Sequence, residues 1–424
     1  MNAKKWLALL LSLLLALGAL TGCAGEKAPE TPETEQTETE SAEETEAPEE
    51  DEGEEAEDGI DYEAQYQAAM AKLQKARAKY DADTVVCTIE GQDITWGMLF
   101  YFIAQDLQDM IYYTGDIPAD FNEPLNEEAT IGQYFKKSAV SQAVYYAVAN
   151  AVPVAREIPI PEEVETTISE YWDQLLESYG SEEELLEAMS EAGLDRDLLF
   201  FFLRSNEGLN AVRTALYDAD SLPTEEVISW AAEKGYVRTK HILYSFYNED
   251  GTPMDDEGKA AQRTKADAVY AELSALTGDH EALEKRFDEI MTGDTTDPGV
   301  ENFPMGYTFT AGTMVTEYED AAFALADYGL SEVVETSYGY HILLRLPLDP
   351  DGLTMDQDSS TGAYMTLRQT AANERFNADL TEWINSAEVV WADPVFEELD
   401  FNALFDIVPT ETPAQGDETG ELPE

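Results

Sequence analysis

Apolar and polar residues alternate along this chain with periods that change from segment to segment. Trp6 to about Leu20 is an apolar run behind Lys4 and Lys5, and small residues follow it. Gly25 to Gly59 is nearly free of large apolar residues. Between Asp61 and Asp406 the pattern becomes globular. Tyr62, Tyr66, Met70, Leu73 and Ala76 recur at helical spacing and predict an amphipathic helix over 62–80. Thr84–Ile89 is a β-branched strand signal, Gly91-Gln92 a turn, and Ile94-Thr95 leads into a long apolar helix over 98–113. Helices are predicted at about 129–152, 161–178, 181–192, 195–217 and 223–234, with Pro161 and Pro223 near helix starts.

From Tyr236 the texture changes to short strands around helices. VRTKHILYSF (237–246) is rich in β-branched and aromatic residues, as a strand requires. Residues 258–276 place Ala266, Val269, Leu273 and Leu276 on one helical stripe, and Leu283, Phe287 and Met291 continue as a second helix. Tyr340–Leu346 reads as a strand able to pair with the first. This order is α+β. After Pro347 the pattern predicts an acidic loop, then a helix over 362–385 and the strand EVVW at 388–391, which is placed to pair with Thr84–Ile89.

Charge changes the picture next. The chain has 424 residues, 89 Asp+Glu against 24 Lys+Arg, and a formal net charge of −65. A nucleic acid would be repelled by that field, so it is excluded as the default partner. The charge is partly segregated: Gly25–Gly59 and the stretch after about Pro409 are acidic and apolar-poor, unable to offset their ordering entropy by burial. They read as a tether and a tail. Their carboxylates lack the ligand spacing of a defined calcium site.

The basic n-region and short apolar core of residues 1–22 read as a secretory signal. Its end, Leu20-Thr21-Gly22-Cys23, resembles the lipobox of bacterial lipoproteins, which implies a lipid anchor on Cys23 and an extracytoplasmic, membrane-attached chain. Only one other cysteine exists, Cys87, expected as a buried small hydrophobe. With Cys23 lipidated, no intrachain disulfide can form.

Three histidines remain. His280 lies in a polar helix start and is expected at the surface, whereas His241 and His341 occupy the matching strand contexts KHIL and YHIL. Adjacent strands would bring their rings face to face. Two histidines and Asp297, without a His/Glu pair at helical spacing or a Cys pair, match a zinc site poorly, and no cofactor or metal is expected.

The segment from Tyr236 to Leu346 resembles a parvulin-type peptidyl-prolyl isomerase domain. The resemblance rests on VRTKHIL, the two helices, TTDPG, FTAGTMVTEYEDAAFAL and SEVVETSYGYHILLR, and covers roughly a quarter of the chain. The lipobox and the helical flanks resemble the PrsA type of extracytoplasmic foldase, related to SurA-like chaperones. The resemblance implies that His241 and His341 are the paired histidines, that Asp297 faces the twisting peptide carbonyl, and that Thr336 fixes the second histidine. It assigns Phe309, Met314 and Tyr318 to the prolyl pocket. Asn302–Tyr307 departs from the usual Gly-Gly-Asp-Leu-Gly turn, so the pocket wall at Gly306 loses a bulky residue, and Tyr338 is positioned to refill or to narrow the site.

The implied organisation is a signal (1–22), an acidic tether (23–60), a helical chaperone-like part (61–235), a parvulin-like domain (236–347), a C-terminal completion of the helical domain (348–407) and a tail (408–424). The implied function is isomerisation of Xaa-Pro bonds in unfolded, newly secreted proteins, with His241 and His341 expected to share a hydrogen bond. A catalytically inactive holdase is the alternative, for which the apolar run Leu199–Leu203 could supply a client surface or simply core. A solute-binding lipoprotein fits less well, since the repeated βα pattern is missing. Whether two copies pair as a homodimer is left open.

Overall fold

The structure, a computed structural model, describes residues 62–408 apart from 249, 294, 296, 359 and 360. The signal, Cys23, the tether and residues 409–424 lie outside the described residues. The first elements are α1 (Tyr62–Arg77), β1 (Val85–Ile89), β2 (Gln92–Thr95), α2 (Trp96–Thr114), α3 (Ile131–Ala155), α4 (Glu163–Tyr179), α5 (Glu182–Glu191), α6 (Arg196–Leu216) and α7 (Thr224–Lys234). There follow β3 (Val237–Ser245), α8 (Asp256–Ser274), α9 (His280–Gly293), β4 (Tyr307–Phe309), α10 (Thr316–Ala324), β5 (Val334–Glu335) and β6 (Gly339–Leu346). The chain continues through β7 (Leu353–Gln357), β8 (Tyr364–Thr366), α11 (Leu367–Ser386) and β9 (Val389–Trp391). Among the described residues the fold is α+β, in two compact units, 62–212 with 381–408 and 213–380.

In the first unit β1 is the central strand, antiparallel to β2 on one side and to β9 on the other, with Cys87 opposite Trp391 and Ile89 opposite Val389. The pairing of Thr84–Ile89 with the distant EVVW strand is therefore present. Thr95 caps α2 by accepting from the Met98 N–H, and Gly115, at φ 82°, ends it. Thr130 and Gln133 form a capping box at α3. Among the aromatics buried here, Phe202 of α6 packs on Tyr146 with ring centroids 4.4 Å apart, and on Tyr101 and Phe102. Leu199 and Phe202 are buried and the rest of Leu199–Leu203 is half-buried, so this run is core and not a client surface. Cys87 is buried, and burial pushes its thiol up to about 11.

The second unit carries a six-stranded sheet in the order β5-β6-β3-β4-β7-β8. One face packs Ile242, Tyr244, Ile342 and Leu344 against Ala266 and Leu273 of α8 and Leu283 and Phe287 of α9. The other packs Val237, Tyr307, Phe309 and Leu343 against Tyr318 and Ala322 of α10. Both faces are covered, which is why β3 reads as nearly continuous burial. The segment after Pro347 corrects the expected loop. β7 joins β4 in parallel, Thr308 opposite Thr354, and β8 joins β7, so α11 starts at Leu367 and not near 362. Acidic residues around Leu353–Gln357 hide the strand in the sequence, although Thr354 is fully buried.

Candidate active site

β3 and β6 run antiparallel with His241 opposite Leu343 and His341 opposite Leu243. The two histidines are thus diagonal neighbours two positions apart in register, which puts both on one sheet face. Their ring centroids lie 5.2 Å apart, and both residues are buried. The expected hydrogen bond between them is absent. Each ring spends Nε2 on a different partner, and neither buried Nδ1 has one.

His241 Nε2 lies 2.7 Å from Asp297 Oδ2. Asp297 opens a short 3-10 turn, Pro298–Glu301, and its Oδ1 accepts the Gly299 N–H at 3.0 Å. The segment is tied to β3 by the Leu243 N–H, which donates to Thr295 Oγ1 at 2.9 Å. Burial by itself would raise the Asp297 carboxyl, but the His241, Tyr307 and Gly299 donors outweigh it and hold it down at about 2. An ionised carboxylate only accepts, so the His241 proton sits on Nε2.

His341 Nε2 lies 2.9 Å from Thr336 Oγ1, which also accepts the Tyr338 N–H at 3.1 Å. Burial, reinforced by His241 next to it, pushes His341 down to about 3, with Asp297 acting the other way. His341 is therefore neutral at physiological pH.

The apolar wall comes from β4 and α10. Phe309 and Tyr318 are buried with ring centroids 5.9 Å apart, and Met314 is partly buried against the same cluster. Glu319 holds the loop bearing Met314 by accepting the N–H groups of Gly312, Thr313 and Met314. Tyr318 stands edge-on to His341, at 5.5 Å and 88°, and to His241, at 5.3 Å and 77°. Its hydroxyl is bound to Thr239 Oγ1 at 2.8 Å, and burial raises its pKa.

Gly306 does not leave a gap in the wall. Its φ is +98°, and a Cβ there would meet the Thr239 carbonyl oxygen at 2.8 Å, so β3 backbone fills the place a side chain would take. Tyr338 does not refill the interior either, being 55% exposed. His280 is exposed and stacks on Tyr328 at 4.2 Å, far in role from this cluster. Two contributors escaped the sequence reading: Thr239, and Tyr307, whose hydroxyl donates to Asp297 Oδ2 at 2.8 Å. A tyrosine directly after the glycine of the turn was the available signal. Among the described residues no group of three or more His, Cys, Asp or Glu is arranged to hold a metal.

Chemically, the cluster offers two buried imidazoles, that of His341 neutral, and a fixed carboxylate beside an apolar wall. Comparison with known proteins finds relatives over part of the chain. Residues 241–346 match the family model of the PPIC-type PPIase (rotamase) domain. Among curated proteins, the foldase protein PrsA of Halalkalibacterium halodurans is 30% identical over 35% of this chain and 47% of its own. That of Staphylococcus aureus is 27% identical over 42% of this chain and 50% of its own. The chain thus spans about half the length of the curated relatives it matches. The crystal structure of PrsA from Bacillus subtilis aligns over 70% of this chain and 96% of its own, with 17% identity and a TM-score of 0.21.

Proposed function

We propose that this chain, whose residues 241–346 match the PPIC-type rotamase domain and which resembles PrsA foldases over about half of their length, is a peptidyl-prolyl cis-trans isomerase and foldase acting on unfolded secreted proteins outside the cytoplasm. The observation that carries this reading is the meeting of His241, His341, Asp297 and Thr336 beside Phe309, Met314 and Tyr318.

The reaction breaks no σ bond. Rotation about Xaa-Pro must disrupt amide resonance, against a barrier of about 18–20 kcal/mol. Phe309, Met314 and Tyr318 hold the prolyl ring in apolar contact, so the preceding carbonyl is the part that swings. His241, His341 and Asp297 set the polarity it passes, favouring the twisted amide over both planar forms. A preference of about 4 kcal/mol accelerates rotation about a thousandfold.

Membrane attachment through Cys23 is part of the proposal, supported by the lipobox resemblance, and Cys23→Ala should move the chain from the membrane fraction to the medium. The clients best suited are neutral or basic around the proline. From Phe287 to Leu344, the span that builds most of the site, the chain has no Lys or Arg.

The test is isomerisation of an Ala-Ala-Pro-Phe peptide by the full chain, followed by NMR exchange. Acceleration that falls in His341→Ala supports the reading, and none from folded wild-type chain overturns it. A holdase role draws on Tyr112 and Tyr113, which are 78% and 84% exposed. It predicts suppression of client aggregation that persists in His341→Ala and falls in Tyr112→Ser/Tyr113→Ser.

A further inference from the structure

We propose that Tyr307 is a positioning residue of this site, its hydroxyl fixing the orientation from which the Asp297 carboxylate orders His241. The inference rests on the isomerase reading and adds to it a residue outside the histidine, threonine and aspartate set.

Tyr307 enters β4 directly after Gly306, whose positive φ and contact with the Thr239 carbonyl set the start of the strand. In register it lies opposite Thr239, two residues before His241. Its ring is buried, stacked on Phe303 with centroids 4.8 Å apart and tilted against His241 at 5.2 Å. The hydroxyl donates at 2.8 Å to Asp297 Oδ2, the oxygen that also faces His241 Nε2 at 2.7 Å. Oδ1 takes the Gly299 N–H. Three donors from β3, β4 and the 3-10 turn therefore converge on one carboxylate, leaving it little freedom to rotate. Such charge-assisted hydrogen bonds are the strong ones.

A second observation shows that the neighbouring chain accommodates this contact. A Cβ on Gly299 would lie 1.9 Å from the Tyr307 hydroxyl oxygen. The hydroxyl can occupy its seat only because residue 299 has no side chain. Any larger residue must drive the phenol away from Asp297, since the flexible end of the tyrosine is what gives way. The groups facing Asp297 are His241 of β3, Tyr307 of β4 and the Gly299 N–H, with His341 of β6 and Tyr318 of α10 beyond His241. Removing the hydroxyl leaves Oδ2 with His241 alone, so the carboxylate loses one of its three donors and is held less firmly in its orientation.

The test compares the full chain with its Tyr307→Phe, Gly299→Ala and doubly substituted variants. Its two readouts are isomerisation of a proline peptide and the pH titration of the ¹³C-labelled Asp297 carboxyl. Tyr307→Phe should lower kcat/KM about tenfold through kcat, with KM within twofold, and should move the Asp297 titration to higher pH. Gly299→Ala should reproduce both changes while keeping the hydroxyl, and the double variant should be no worse than Gly299→Ala. Wild-type kcat/KM and an unmoved titration in Tyr307→Phe overturn the proposal. If the unsubstituted chain does not isomerise the peptide, the isomerase reading fails separately. The titration then decides the Tyr307 assignment, an upward shift supporting it and no shift overturning it. If Gly299→Ala does not fold, the near-isosteric Tyr307→Phe decides alone.

Discussion

His241 and Asp297, separated by 56 positions in sequence, meet Nε2 to Oδ2 at 2.7 Å in a pair whose side chains are each 10% exposed. That contact fixes the proton on His241 Nε2, while Nδ1 is buried without a hydrogen-bond partner. Asp297→Ala removes the acceptor for two buried donors, His241 Nε2–H and the Tyr307 hydroxyl. Charge-assisted hydrogen bonds contribute about 1.5–3 kcal/mol, so isomerisation should slow by about 10- to 100-fold. NMR exchange on a proline peptide measures it, with near-UV circular dichroism to confirm the fold. A folded Asp297→Ala chain at wild-type rate contradicts the role given to the pair.

His341 is tied to Thr336, and Thr336 to the turn that leads back into β6. Thr336→Val keeps the shape and removes the hydroxyl. It should lower the rate less than His341→Ala does, because the ring stays but loses its orientation. A Thr336→Val chain slower than His341→Ala would show that the hydroxyl acts on substrate and not through the histidine.

Acid should weaken the second unit in two stages. His341 is depressed to about 3 from an ordinary 6.5, so between those values the unfolded chain binds a proton the folded chain does not. Stability is then full above pH 6.5 and falls as pH drops toward 3. Asp297, lowered from 3.8 to about 2, adds a loss of the same sign across that lower window. Urea midpoints read at a Trp230 fluorescence signal between pH 7 and 4 should decline, and the decline should be shallower in His341→Gln. Equal slopes in both chains would remove His341 as the cause.

Phe202 anchors the aromatic cluster of the first unit through Tyr101, Phe102 and Tyr146. Phe202→Ala should cost about 3–5 kcal/mol of that unit's stability. Denaturant unfolding followed by near-UV circular dichroism measures it, and a loss under about 1 kcal/mol would mean that the run is not core.

Client charge should matter at low ionic strength. Peptides with Lys before the proline should be isomerised faster than those with Glu, and added salt should compress the difference as it screens the acidic surface. Equal rates at low salt would separate the charge from substrate choice.

The elements were legible because hydrophobic periodicity is local. The helices over Trp96–Thr114 and Ile131–Ala155 and the strands over Val237–Ser245 and Gly339–Leu346 all follow from it. β7 and β8 were not legible, since Asp356 and Asp358 give the segment the composition of a loop, and only pairing with β4 makes Leu353–Gln357 a strand. In the site, the matching contexts of His241 and His341 already point to neighbouring strands. The same matching suggested a shared hydrogen bond, which the rings do not make; their Nε2 atoms pair with Asp297 and Thr336 instead.

By itself the sequence determined the acidic character, the α+β order and the strand contexts of the two histidines. These are properties of composition and short-range pattern, whereas the candidate site residues came from the family resemblance. Tertiary structure alone decided that Tyr307 shares a carboxylate oxygen with His241, that Gly299 makes room for it, and that Leu199 and Phe202 turn inward. The reason is geometric: such contacts depend on where strands far apart in the chain pair and in what register, and a one-residue slip would send each side chain to the opposite face.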